Sequence, residues 1–262
     1  MKLSKSLYTR GLQCTKSLWL KKKNNTVLST PDTSAEAIFE VGDQVGVLAC
    51  KLFPNGLEVP YKGTSFQEKI DLTKKHLNAG IRNIYEATFQ FDDILVMVDI
   101  LHVTKEGHFE IYEVKSSTAV KDVYIDDVAI QYYVLNGLGY TIKTVNIVHI
   151  NNKYVREKEL EIEKLFTIAD VTSSVWEKQE NIPLYLKNFA AILSHEIEPK
   201  KDIGAHCSTP YSCDAVDYCW RDIPKYSIFN ITNLRTKKKF ELYNESIIQF
   251  SDIPDITSFS LP

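Results

Sequence analysis

The chain has 262 residues, a net charge of −3, and 44% apolar and 25% charged residues. That is the composition of a soluble globular protein, long enough to bury a core without covalent staples. The near-neutral balance gives no global nucleic-acid footprint and speaks against a nonspecific DNA coat, but less against a nuclease, which needs only a local basic path. The two basic runs, Lys21 to Lys23 and Lys237 to Lys239, read as solvated surface. No stretch of about 18 apolar residues is present, so no membrane helix is expected, and the N-terminal segment has no secretory apolar region. Five cysteines, an odd number, speak for reduced thiols or metal ligands rather than structural disulfides. The expected location is the cytoplasm.

In chain order, Ser34 to Lys51 repeats apolar residues at helical spacing (Ala37, Ile38, Val41, Val45, Leu48, Ala49), with Asp32 or Thr33 as cap. A second amphipathic helix is predicted over Ser65 to Asn78, stopping near Gly80. Three β-rich runs follow, Asn83 to Phe89, Ile94 to Val103 and His108 to Val114, with Lys105-Glu106-Gly107 as the last turn. Together they read as a meander. Val123 to Leu138 returns to helical spacing and ends at Gly139, and Tyr140 to Ile150 reads as a buried strand. Two further helices are predicted at about 158–178 and 182–194, Pro183 suiting the first turn of the second. Beyond Ile203 the chain is irregular, and its last forty residues hold short strand-like runs. The order helix, three strands, helix, strand predicts an α/β fold with a mixed central sheet flanked by helices.

Chemistry concentrates in two places. Asp99 lies in the apolar run Val96-Met97-Val98-Asp99-Ile100-Leu101, and Glu113 and Lys115 lie in Ile111-Tyr112-Glu113-Val114-Lys115. Residues two apart on a strand share a face, so Glu113 and Lys115 point together with Asp99 across the ladder. A Glu-x-Lys pair alone is most often a surface cross-pair. A carboxylate inside an apolar strand is costly without a partner, and a hard divalent cation such as Mg²⁺ or Mn²⁺ is the natural one. Such a centre suits phosphodiester hydrolysis. Lys115 would orient the attacking water or stabilise charge on the phosphate oxygens, and the Val114 carbonyl could add an oxygen ligand. The second place is the set Cys14, Cys207, Cys213 and Cys219, one thiol near the start and three clustered late. It suits a Zn²⁺ site or an iron–sulfur cluster, with His206 as a possible replacement ligand. Cys50 reads as a small buried hydrophobe.

The pattern Asp99, Glu113-Val114-Lys115 and then Gln131-Tyr132-Tyr133 resembles the RecB-like branch of the PD-(D/E)XK nucleases. The resemblance implies a restriction-endonuclease-like core, with Asp99 and Glu113 as metal ligands and Lys115 as the catalytic lysine. It implies that Gln131 and a nearby tyrosine, Tyr132 or Tyr133, act from the following helix. The family pattern puts the tyrosine three residues after the glutamine, where this chain has Val134. Where many members carry a histidine on the first helix, the stretch 42–46 has none. Glu40 or Glu36 would supply a carboxylate there, and Glu86 is a lower-ranked acidic candidate. The cysteine frame resembles RecB-like nucleases that carry a [4Fe–4S] staple, the CRISPR-adaptation exonucleases among them, and implies that cofactor ahead of structural Zn²⁺. The staple would tie the two chain ends together.

The two ends also resemble bacterial proteins in which such a nuclease precedes a second domain. The expected division is therefore a nuclease domain over 1–225, including the staple, and an extension over 226–262 that would suit a linker to a further domain. The expected function is a deoxyribonuclease acting as an exonuclease on single strands or ends, with DNA and a helicase or other repair or defence protein as partners. The alternative is a catalytically silent nucleic-acid-binding or structural subunit.

Overall fold

The computed structural model describes residues 2–30 and 33–253. The chain forms two compact units, Met1–Thr9 with Pro31–Ala191, and Arg10–Thr30 with Ile192–Pro262. The cysteine-bearing segment belongs to the second unit, together with the residues beyond it.

The first unit is α/β. Its elements are β1 (Leu3–Ser4), the start of α1 (Lys5–Gln13), α3 (Thr33–Cys50), β2 (Leu57–Glu58), α4 (Phe66–Asn78), β3 (Asn83–Phe91), β4 (Ile94–Val103), β5 (Phe109–Lys115), α5 (Asp122–Gly137), β6 (Ile142–Ile150), α6 (Ile162–Leu165), β7 (Phe166–Asp170), α7 (Thr172–Gln179) and most of α8 (Ile182–Ser194). The α2 helix (Thr15–Lys23) lies in the second unit. Six strands run in the order β2-β3-β4-β5-β6-β7, and β1 also pairs with β4. The sheet is mixed, with β1–β4, β2–β3 and β5–β6 parallel and the other pairs antiparallel.

Local chemistry explains most of the boundaries. Ser65 opens α4 with a reciprocal capping box, its hydroxyl accepting from the Glu68 amide at 3.3 Å while Glu68 accepts from the Ser65 amide at 2.7 Å. The β3–β4 hairpin turns on Asp92 and Asp93, both at positive φ (49° and 63°), as a two-residue turn matched to strand twist requires. Gly139, at φ 86°, ends α5 in the left-handed conformation. The end of α3 packs Val45, Leu48 and Ala49 against Ile100, Tyr112 and Val148.

Two predicted elements differ. The stretch 158–178 is not one helix, because Phe166 to Asp170 is an edge strand antiparallel to β6. Asp170 then accepts from the Thr172 amide at 2.9 Å and starts α7 afresh. In the second unit the late strand-like runs form no strand among the described residues. The segment Thr236–Asn244 is a helix, α10, and its Phe240 and Tyr243 rings meet Phe229, with Phe240 also meeting Trp220.

Candidate active site

The site begins where the ladder of the sheet opens. On one side of β4, β1 pairs with Ile94 and Leu95, and β5 pairs with Ile100 to Val103. The β4–β5 register stops at Ile100 opposite Tyr112, so Asp99 and Glu113 stand where the two strands part. On the other side of β4 the β3 register skips Glu86 opposite Asp99. Glu86 has a positive φ of 57°, a conformation that costs a non-glycine residue energy and tends to persist at functional sites. Asp99 Oδ2 accepts the Val114 N–H at 2.7 Å, replacing the backbone partner lost at the fork.

Glu113, only 2% exposed, is the hub. Lys5, the first residue after β1, donates to both its oxygens at 2.8 and 2.9 Å. Lys115 Nζ donates to Glu113 Oε1 at 2.7 Å and to Asp127 Oδ2 at 2.6 Å. Gln131 Nε2 donates to Glu113 Oε2 at 2.6 Å. Tyr124, Asp127 and Gln131 lie at i, i+3 and i+7 on α5 and so share one face of that helix. The Lys115 ammonium lies 5.3 Å from the centre of the Tyr124 ring.

Gln131 carries the least expected atom. Its residue is fully buried, and its Oε1 has no hydrogen-bond partner. A carboxylate only accepts, so the bond to Glu113 settles which end of the amide is nitrogen. The orphaned oxygen is an acceptor inside the site, of the sort that a bound water or ligand satisfies.

Charge is out of balance. Four carboxylates, Glu86, Asp99, Glu113 and Asp127, face two ammonium groups. Burial pushes the Glu113 carboxyl up, but Lys115 and Lys5 beside it hold it well below the usual range. Burial and the Glu113 charge raise Asp99 to about 6 against the pull of both lysines. Burial and the charge of Asp99 raise Glu86 to about 7. Asp127 is raised by burial and by Glu113. Burial opposes the charge of Lys115, but Glu113 and Asp127 raise it well above its ordinary value. Lys115 is therefore a fixed cation and hydrogen-bond donor rather than a proton acceptor.

Of the residues singled out from the sequence, Asp99, Glu113, Val114, Lys115 and Gln131 come together. Glu86 joins them. Lys5 and Asp127 were missed. Asp127 carried a signal, since it precedes Gln131 by one helical turn; Lys5 carried none. Glu36 and Glu40 lie exposed on α3. The buried end of α3 packs on Tyr112 and Val148, the sheet face opposite Glu113 by strand alternation. Tyr133 lies elsewhere, its hydroxyl 3.3 Å from Asp92 and its ring against Phe91. Two residues past Gln131, it faces away from that residue's side of α5.

In the second unit, Cys14, Cys207, Cys213 and Cys219 line one small cavity, with His206 and Lys16 beside them. Cys14 precedes the first turn of α2. Burial raises its thiol, while the Ser17 and Lys16 amides lower it. The Cys213 amide donates to the Cys207 carbonyl at 2.9 Å, which holds those two residues together. Four sulfur donors fit a thiophilic metal or an iron–sulfur cluster by their chemistry. Oxygen donors at the first site fit a hard divalent cation. Among the described residues, however, no group of three or more His, Cys, Asp or Glu side chains is set so that it could hold a metal ion. At the first site the Glu113 oxygens are taken by Lys5, Lys115 and Gln131.

No family model and no curated protein matches this chain. Among the described residues no helix is long and apolar enough to cross a membrane.

Proposed function

We propose that the chain is a metal-dependent deoxyribonuclease of the restriction-endonuclease-like class, acting at the fork between β4 and β5. The observation that carries this reading is Glu113, buried and held by Lys5, Lys115 and Gln131 beside Asp99 at a break in the sheet. A nonfunctional strand pair has no need of four carboxylates and two lysines there.

Asp99, Glu113 and the Val114 carbonyl would hold Mg²⁺ or Mn²⁺, with Glu86 as the further carboxylate in place of Glu40; such an ion would polarise the phosphodiester and offset the excess of carboxylate charge. Lys115, a permanent donor, stabilises the negative charge that builds on the phosphate oxygens. Lys5, which donates to both Glu113 oxygens, is a second cation at the same site. Gln131 Oε1 accepts a hydrogen bond from the attacking water and orients it. Asp127 and Tyr124 keep the Lys115 ammonium in place. DNA is the substrate, with single strands or ends as the preferred form and a helicase or other repair or defence protein as partner.

The second unit joins a segment near the start of the chain to one near its end. We assign its four-cysteine cavity to a structural cofactor, [4Fe–4S] ahead of Zn²⁺, which would link those two segments.

A second reading, a nucleic-acid-binding subunit without catalysis, draws on the saturation of the Glu113 oxygens by lysines. Labelled single- and double-stranded DNA incubated with Mg²⁺ or Mn²⁺ separates the two. Wild type should degrade DNA and Lys115→Ala should not. Equal degradation by both would show that the active site lies elsewhere, and no degradation by wild type favours the binding subunit.

A further inference from the structure

Lys69, on the first turns of α4, is only 3% exposed. Among the described residues its ammonium has no hydrogen bond or ion pair to an oxygen. Its neighbours are instead two rings, with Tyr61 centred 4.2 Å and Phe66 centred 5.7 Å from Nζ. Those rings are 62% and 57% exposed, so the cation lies against them while much of their surface faces solvent. The loop that carries Tyr61 is shaped by Gly63 at φ 80° and tied by the Thr64 hydroxyl donating to the Pro60 carbonyl at 2.7 Å. Lys62, exposed beside Tyr61, adds a second positive charge.

Folding accounts for none of this. Among the described residues the Lys69 ammonium has only the two rings as partners, and aromatic rings left open to solvent leave apolar surface in water. A ligand that is anionic and carries flat, unstacked rings satisfies both features. A cation beneath a ring withdraws density from it and favours stacking of an electron-rich nucleobase on its outer face. Bases in a duplex are already stacked on one another, whereas those of a single strand are free.

The position is also apt. The loop leaves β2 at Glu58, whose charge acts on Glu86 in the active site. One turn after Lys69, the Thr73 hydroxyl accepts the Thr88 amide of β3, two residues from Glu86.

We propose that Tyr61 and Phe66, held over Lys69, form a stacking seat for unpaired bases of a single-stranded polynucleotide on its way to the carboxylate site. This rests on the nuclease reading for its destination, but the seat itself is a binding claim. Fluorescence anisotropy with a labelled 15-mer in EDTA, where no cleavage occurs, tests it alone. Arms with DNA, RNA, the duplex and an abasic-spacer strand identify the ligand.

Wild type should bind the single strands and bind the duplex and the abasic strand more weakly. Tyr61→Leu and Phe66→Leu keep apolar bulk without a ring, and each should weaken single-strand binding by roughly ten-fold. Thermal unfolding should be unchanged. Binding of the abasic strand should be the same for wild type and variants. Equal binding of all strands by wild type, or ring variants that bind single strands as wild type does, would overturn the seat. Cleavage assays then separate the two ideas. A protein that binds in this pattern but never cleaves sinks the nuclease reading alone, and one that cleaves with binding indifferent to the rings sinks the seat alone.

Discussion

Gln131 donates its amide nitrogen to Glu113 Oε2 at 2.6 Å and to the Asp127 carbonyl at 3.3 Å, while the other end of the amide, Oε1, is buried without a donor. The side chain thus positions the hub carboxylate and presents a vacant acceptor beside it. Gln131→Met keeps the volume and removes both functions. DNA hydrolysis should fall by about 10–100-fold, the usual cost of losing a group that orients a metal ligand, while thermal unfolding shows the fold retained. An unchanged hydrolysis rate would mean that Gln131 only fills space.

The raised carboxyls make stability depend on pH in an unusual direction. A carboxyl whose pKa is higher in the fold than in the unfolded chain takes up a proton on folding, so rising pH disfavours the fold until that group is ionised in both states. Asp99 moves from 3.8 to about 6 and Glu86 from 4.5 to about 7. In chelator-containing buffer, stability should therefore fall as pH rises from about 4 to about 7 and level off above. Glu86→Gln should flatten the upper part of that fall. Denaturant melts across the range check it; a Glu86→Gln profile parallel to wild type would show that Glu86 titrates normally.

Gly137 closes α5 against Phe91. A Cβ built on Gly137 would lie 2.3 Å from the Phe91 ring, far inside contact distance and on a rigid neighbour. Gly137→Ala should destabilise the first unit by about 1–3 kcal/mol through overpacking, although alanine is the better helix former. Shrinking the ring with Phe91→Leu should recover part of that loss in the double variant. Additive losses in urea melts would place the strain elsewhere.

The cysteine cavity gives a prediction independent of DNA. Protein purified anaerobically should carry the broad visible absorbance of a thiolate-bound iron–sulfur cluster. Cys213→Ser should lose it and fall in stability and solubility more than in the activity of whatever folds. A colourless protein with stoichiometric zinc would replace the cluster by Zn²⁺, and a Cys213→Ser protein as stable as wild type would end the structural role.

Much of the first unit was legible because its signals are local. The meander follows from alternation and turn residues, α4 from its Ser65–Glu68 cap, and the end of α5 from Gly139. Glu113 and Lys115 share a face because a strand has period two, and no tertiary knowledge is needed for that. Gln131 and Asp127 are one helical turn apart, so the second could have been read from the first. The strand β7 was not legible, because Phe166 to Asp170 becomes a strand only against the edge of β6. The late helix α10 was likewise hidden, its rings packing on Trp220 and Phe229 from other segments.

The sequence alone determined which residue types carry chemistry: a carboxylate in an apolar strand, a Glu-x-Lys pair beyond the turn, and one early with three late cysteines. Only the tertiary structure decided how they are used. The fork between β4 and β5 puts Asp99 on a freed backbone amide. The skipped register position forces Glu86 into a left-handed conformation opposite it. Lys5, 108 residues away in the chain, reaches both oxygens of Glu113. Periodicity fixes the direction of a side chain along its own element, whereas ion pairing across a sheet depends on which strands part and what enters the gap.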